Sequence, residues 1–371
     1  MTDERHDDNV GLDRRTFMRR SAFGAAGVAM LAGGGMGAIA TALESGSAWA
    51  AQGAKAKDLG TLDFQLSWVK NVEFAGEYIA DTKGYYKKEG FSGVNLISGG
   101  PTVNQDSAVQ AGKAFVGISA PDITASAINA GADLVIIGAQ YQKNPFAVMS
   151  LAKSPIKTPQ DMKGKKIGVQ ATNEAVWQSF LKANNIDPSS INKTVVQFDP
   201  TPLTTGQVDG WFSFVTNEPN VLKVKGFKTH TFLLADYKYP LVSETYMVKR
   251  SALTSERDKL KALLRADIKG WHDNYKNPSL GATLSVKKYG KSLGNTVKEQ
   301  LLESKSENKL IFTPDTLANG LFTISDALIA ENISTLGIAG IDITAAKLFD
   351  MSVLEEVYSE NPALKTSPKA P

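Results

Sequence analysis

Gly112-Lys113-Ala114-Phe115-Val116-Gly117-Ile118-Ser119 and Gly206-Gln207-Val208-Asp209-Gly210-Trp211-Phe212-Ser213 are two versions of one pattern. In each, a glycine closes a helix-like stretch, an apolar run follows, and the run ends on a polar residue. A short apolar run bounded by turn signals reads as a buried strand. One echo alone is weak, because any α/β protein reuses helix–glycine–strand turns. Here the surroundings repeat too. Leu62, Phe64, Leu66 and Trp68 alternate with polar neighbours as a strand does, and a helix runs through Phe74, Tyr78 and Ile79 until Gly90 stops it. Residues 94–97 form a second strand ending at Gly99-Gly100-Pro101, where the next helix is expected to begin. Residues 121–130 read as a helix and 134–137 as a strand. Around the second copy, 166–169, 195–198, 209–215 and 231–234 read as strands and 174–184 as a helix. Strands alternating with helices imply mostly parallel sheets covered on both faces.

Residues 245–248 read as a strand that crosses back to the first half. The long helix after it presents Leu260, Leu264, Ile268, Trp271 and Tyr275 on one face, with further helices beyond. The expected organisation is lobe 1 from 61–150 plus 246–360 and lobe 2 from 151–245, with hinges near Ser150 and Thr245. Residues 51–60 are a linker, and 361–371, with three prolines, a loose tail. Two lobes joined by two crossings leave a cleft, where small molecules most often bind.

Composition narrows the function. The 371 residues are 42% hydrophobic and 21% charged, with a net charge of +3 and no basic stripe, which argues against a nucleic-acid partner. Cysteine is absent, excluding disulfides, thiolate metal sites, a cysteine nucleophile and a lipid-anchored cysteine. His6, His230 and His272 stand far apart in sequence, without metal-ligand spacing. No Gly-x-Ser-x-Gly, His-Glu-x-x-His or phosphate-loop sequence occurs, so neither an enzyme nor a cofactor is expected.

The N-terminal stretch reads as an address. Asp13-Arg14-Arg15-Thr16-Phe17-Met18-Arg19 resembles a twin-arginine export motif, a Gly/Ala-rich apolar stretch follows, and Ala48-Trp49-Ala50 is a small-x-small cleavage site. Residues 1–50 are therefore expected to be a cleaved export signal. Gly33-Gly34-Gly35 and Gly37 interrupt the segment and weaken the alternative of a membrane-spanning helix.

The run 112–119, Asp161-Met162-Lys163-Gly164-Lys165-Lys166-Ile167-Gly168-Val169, and Gly206-Gln207-Val208-Asp209-Gly210 resemble the periplasmic binding proteins for thiamine-precursor pyrimidines. Those proteins are cousins of the nitrate, sulfonate and taurine binding proteins. Lys83-Gly84-Tyr85-Tyr86-Lys87-Lys88-Glu89-Gly90 is similar to a signature of the same family. The resemblance implies a type II periplasmic-binding-protein fold, two α/β lobes with a ligand cleft between them. It also implies an extracytoplasmic, monomeric solute-binding subunit that serves a separate ABC permease and ATPase. Trp68 and Asn71 match the family's Trp-x-x-Asn loop, and Asn217-Glu218 its Glu-bearing loop. Where the pyrimidine binders carry a His, this chain has Phe74. Riboflavin, or a sulfonate- or nitrate-like oxyanion, stays open as ligand, as does a pyrimidine-synthesising enzyme.

Ligand contacts in open α/β sheets come from loops at the carboxyl ends of strands. That rule selects Trp68, Asn71, Gly99, Gly100, Ser119, Asp122, Gln140, Asn173 and Glu218. Each has a structural alternative: Trp68 in the core, Gly99-Gly100 as a tight turn or anion-holding helix start, and Ser119, Asp122 and Asn173 as helix caps. For Gln140 the alternative is a bond to loop backbone, and for Glu218 a solvated surface carboxylate.

Overall fold

The computed structural model describes residues 58–366. The expected export signal and its cleavage site lie outside them.

Lobe 1 is built on a five-stranded sheet of order β2-β1-β3-β10-β4, from β1 (Thr61–Gln65), β2 (Gly93–Ile97), β3 (Val116–Ser119), β4 (Leu134–Tyr141) and β10 (Ser243–Lys249). Lobe 2 has the order β7-β6-β8-β5-β9, from β5 (Phe146–Leu151), β6 (Lys166–Gln170), β7 (Asn192–Val196), β8 (Gly210–Phe214) and β9 (Thr229–Leu233). The two echoing stretches supply β3 and β8, the third strand of each sheet. Strands β1, β2 and β3 run parallel, as do β6, β7 and β8. The fourth strand of each sheet, β10 or β5, runs antiparallel to both its neighbours, so the sheets are mixed.

Strand β5 moves the lobe boundary. Phe146–Leu151 belongs to the second sheet, so the chain first crosses at residues 142–145 and returns at 234–242. Ser150 and Thr245, expected near the hinges, lie within strands and are fully buried. The two crossing segments are tied together by the Asn144 N–H donating to the Leu241 carbonyl at 2.8 Å.

The helices that frame the cleft are α1 (Ala75–Thr82), α2 (Gln105–Gln110), α3 (Pro121–Asn129), α4 (Glu174–Ala183), α5 (Glu218–Val224), α6 (Arg257–Lys276), α7 (Val297–Ile311), α8 (Asp326–Ala339) and α9 (Ser352–Glu360). Helix α6 buries Leu260, Leu264, Ile268 and Trp271 in the lobe 1 core beside Phe64 and Tyr246, and Tyr275 stacks on Phe312 at 3.9 Å. The chain after Gly99-Gly100-Pro101 does not turn helical until Gln105, where Asn104 caps α2 by accepting from the Ser107 N–H. Not all of the C-terminal region joins lobe 1: Leu336 and Ala339 of α8 pack in the lobe 2 core with Phe180 and Leu181 of α4. Residues 361–366, expected as loose tail, start with a 3-10 turn, Pro362–Lys365, and Leu364 packs on lobe 1.

Candidate functional site

The strand ends of both sheets converge on a pocket of about 510 Å³, including its open mouth. Lobe 1 brings Ser67 and Trp68 from the loop after β1, Glu73 from a 3-10 turn (Val72–Phe74), and Ser119 from the end of β3. Lobe 2 brings Phe146, Phe212 and Phe214 from β5 and β8, with Asn173 and Glu218 at the starts of α4 and α5. The returning strand adds Ser243 and Glu244. Phe146 lies edge-on to Phe214 at 4.5 Å and stacked on Phe212 at 5.0 Å, giving lobe 2 an aromatic wall. Trp68 faces the same space from lobe 1 and is only partly buried.

Of the nine residues chosen by the strand-end rule, Trp68, Ser119, Asn173 and Glu218 line this pocket. Ser119 caps nothing; its hydroxyl donates to Asp106 Oδ2 at 2.6 Å. Asn173 sits at the start of α4 without a side-chain cap and donates to Gln170 Oε1. Glu218 is no surface carboxylate: it is 4% exposed, and its Oε2 accepts the Phe214 N–H at 2.9 Å.

The other five lie behind or beside the pocket. Asn71 is buried, caps the 3-10 turn, and donates to Glu303 Oε1 at 2.7 Å, so it holds Glu73 in place from the rear. Gln140 donates to the Glu73 carbonyl at 3.0 Å. Asp122 accepts from the Tyr239 hydroxyl and the Ile123 N–H. Gly99 packs its backbone against Leu66 and Ser67, leaving no room for a Cβ, and Gly100 continues that turn. The short helix α2 begins only after Asn104, so no helix starts at this glycine pair.

Two lining carboxyls escaped the sequence reading, Glu73 and Glu244. The Ser67 hydroxyl donates to Glu244 Oε2 at 2.7 Å and lies 3.2 Å from Glu73 Oε1. With Glu218, three buried carboxyls face the pocket, and among the described residues no Lys, Arg or His lines it. Burial above all raises their proton affinity, pushing Glu73 up to about 7 and Glu218 up to about 8, with Glu244 also well above the ordinary carboxylate value. Glu77, deeper in α1, is pushed up to about 7 by the same cause.

This has a consequence for stability. A carboxyl with a raised folded-state pKa keeps a proton that the unfolded chain has already lost, so its contribution falls as pH rises from the unfolded value to the folded one. The ligand-free protein is expected to melt higher at pH 5.5 than at pH 8. Thermal scans across that range check it, and a rising profile would mean that these carboxyls are ionised in place.

Two α/β lobes with this strand order, crossed twice and closing on a pocket at their strand ends, have the fold of type II periplasmic binding proteins. The chain belongs to the NMT1/THI5-like family, whose pattern matches residues 71–280. It is 24% identical over 227 residues to the riboflavin-binding protein RibY of Chloroflexus aurantiacus, covering 60% of this chain and 64% of that one. It is 24% identical over 209 residues to a putative thiamine biosynthesis protein of Haemophilus influenzae, covering 55% and 66%. The chain thus spans just under two thirds of the length of each. Among solved structures, the periplasmic nitrate-binding protein NrtA from Synechocystis superposes with a TM-score of 0.60 at 14% identity, covering 84% of this chain and 91% of that one.

Proposed function

We propose that this protein is the solute-binding subunit of an ABC importer, working outside the cytoplasm, and that it captures a flat nitrogen heteroaromatic of the thiamine-precursor pyrimidine class. It performs no chemistry itself and hands the ligand to a separate permease. The observation that carries the ligand class is the lining: three buried carboxyls and four aromatic side chains, with no cationic residue. A sulfonate or nitrate is best held by positive partners, and the described lining offers none. An aminopyrimidine offers amine hydrogens to the carboxyl oxygens and a π-face to Trp68.

Riboflavin is the second reading, favoured by the similarity to RibY and by the aromatic wall. Calorimetric titration with 4-amino-5-hydroxymethyl-2-methylpyrimidine, riboflavin, taurine and nitrate tests the proposal. Tight taurine or nitrate binding without pyrimidine binding would refute it. Trp68→Ala is expected to weaken the preferred ring by about 1–3 kcal/mol through lost stacking and burial. An unchanged affinity in that variant would place the indole outside the ligand's contacts.

A further inference from the structure

We propose that the captured molecule binds as a cation, with a positively charged nitrogen seated on the Glu73–Glu244 carboxyl pair of lobe 1 while Glu218 of lobe 2 takes an amine on its opposite edge. This rests on the pocket being the ligand site, as proposed above, and goes further by assigning the ligand's charge and its two anchoring points.

The geometry of Glu244 is the starting point. It lies in β10 with φ of 49°, in the left-handed region that a glutamate rarely adopts, yet its side chain is 3% exposed and points into the pocket. Backbone strain of this kind persists where the surroundings hold it, and it gathers at binding sites. Here the conformation brings the carboxyl beside that of Glu73, with the Ser67 hydroxyl between them, donating to Glu244 Oε2 at 2.7 Å and lying 3.2 Å from Glu73 Oε1. Two buried carboxyls this close to one shared hydroxyl do not both ionise, so the empty pair keeps at least one proton.

A second observation points to a missing partner. The Ser243 hydroxyl, on the same strand and also lining the pocket, is 1% exposed and has no hydrogen-bond partner. A buried hydroxyl left in that state is incomplete until a ligand supplies a donor or acceptor.

Among the described residues, the hydrogen bonds to the pair from Ser67 and Asn71 bring no positive charge. The titratable groups that act on it electrostatically are Glu77 and Tyr78 from α1, Glu218 from α5, Glu303 and Glu307 from α7, and Tyr141 from β4. All are acidic or phenolic. A cation entering the pocket is therefore the only positive partner the pair can gain, and it makes the shared proton superfluous. A ring with a fixed charge expels that proton to solvent. A neutral base takes it onto its own ring nitrogen, with no net exchange.

The sign of the pH dependence follows. The buried pair takes up protons more readily than free carboxyls do, so as pH falls a fixed cation must displace protons to bind, and affinity for that cation falls.

The test is calorimetry in buffers of different ionisation enthalpy at pH 6. The probes are 4-amino-5-hydroxymethyl-2-methylpyrimidine, its N1-methylated cation, and the uncharged 4-oxo analogue. The cation is expected to bind at least tenfold tighter than the 4-oxo ring, to release about one proton, and to weaken by up to about tenfold per pH unit from 7 to 5. Glu244→Gln should remove most of that preference and the proton release. Glu244→Gly, which suits the positive φ, should do the same without lowering the melting temperature, separating lost binding from lost folding. Equal binding of charged and uncharged pyrimidines without proton release would overturn this inference and leave the pyrimidine reading standing. Failure of every pyrimidine to bind would overturn both.

Discussion

Glu218→Gln is expected to weaken an aminopyrimidine by tenfold or more. Oε2 of Glu218 is committed to the Phe214 N–H at 2.9 Å, which leaves Oε1 to face the ligand. A glutamine that keeps the Phe214 bond must use its one carbonyl oxygen there and turn its NH2 into the pocket, so a donor meets the ligand's amine. Measured above about pH 8, where Glu218 has lost its proton, the loss of a hydrogen bond to this charged acceptor is worth about 1.5–3 kcal/mol, and each 1.4 kcal/mol is about tenfold in affinity. For an oxyanion the sign reverses, since removing a carboxylate and adding a donor can only help. Parallel titrations of the parent and the variant with the pyrimidine and with taurine separate the cases. Taurine binding that strengthens in the variant, beside pyrimidine binding that does not change, would remove Glu218 from the recognition of a nitrogen ring.

The same residues show what could be read in the chain beforehand. The echo of 112–119 in 206–213 located β3 and β8, because a glycine, an apolar run and a closing polar residue are local signals, and local signals survive folding. Strand β5 was missed as a member of the second sheet for the opposite reason. Phe146-Ala147-Val148-Met149-Ser150-Leu151 is as apolar as β4 just before it, and nothing within either run says which sheet will take it. Membership is decided by pairing with β8 and β9, far along the sequence. The site divided in the same way. Glu218 and Trp68 could be named from strand-end position and resemblance, whereas Glu73 and Glu244 look like ordinary charged residues. The signal available for Glu244 was its place in a strand that returns between two others, where a charge must be buried whichever way it points. Asn71, Gln140 and Asp122 were drawn toward the ligand by the same rule, and they instead satisfy the backbone and carboxyls behind it.

The wall behind Glu73 also depends on a close approach of two helices, and breaking it should cost more than any single surface change. Gly270 in α6 faces Gly76 in α1: a Cβ on Gly270 would overlap the Gly76 carbonyl oxygen and lie 2.8 Å from its carbon. The obstacle is backbone, so no rotamer change relieves it and the helices must separate. Overpacking of this kind costs about 1–3 kcal/mol, occasionally more, against a helix-propensity gain of about 1 kcal/mol for alanine over glycine. Spreading α1 from α6 would also open the fully buried face of Trp271, whose ring occupies the space beside Gly76. Gly270→Ala is therefore expected to destabilise by about 1–2 kcal/mol, a drop of about 2–3 °C in melting temperature for a chain of this size. The control is Gly337→Ala in α8, where a Cβ meets nothing within 4 Å and the helix should gain slightly. Because α1 follows directly on the turn that carries Glu73, the Gly270 variant should also bind ligand more weakly, while the Gly337 variant should not. Equal melting temperatures for the two variants would show that α1 and α6 can separate at no cost, and would dismiss the rigid wall as the support of the carboxyl pair.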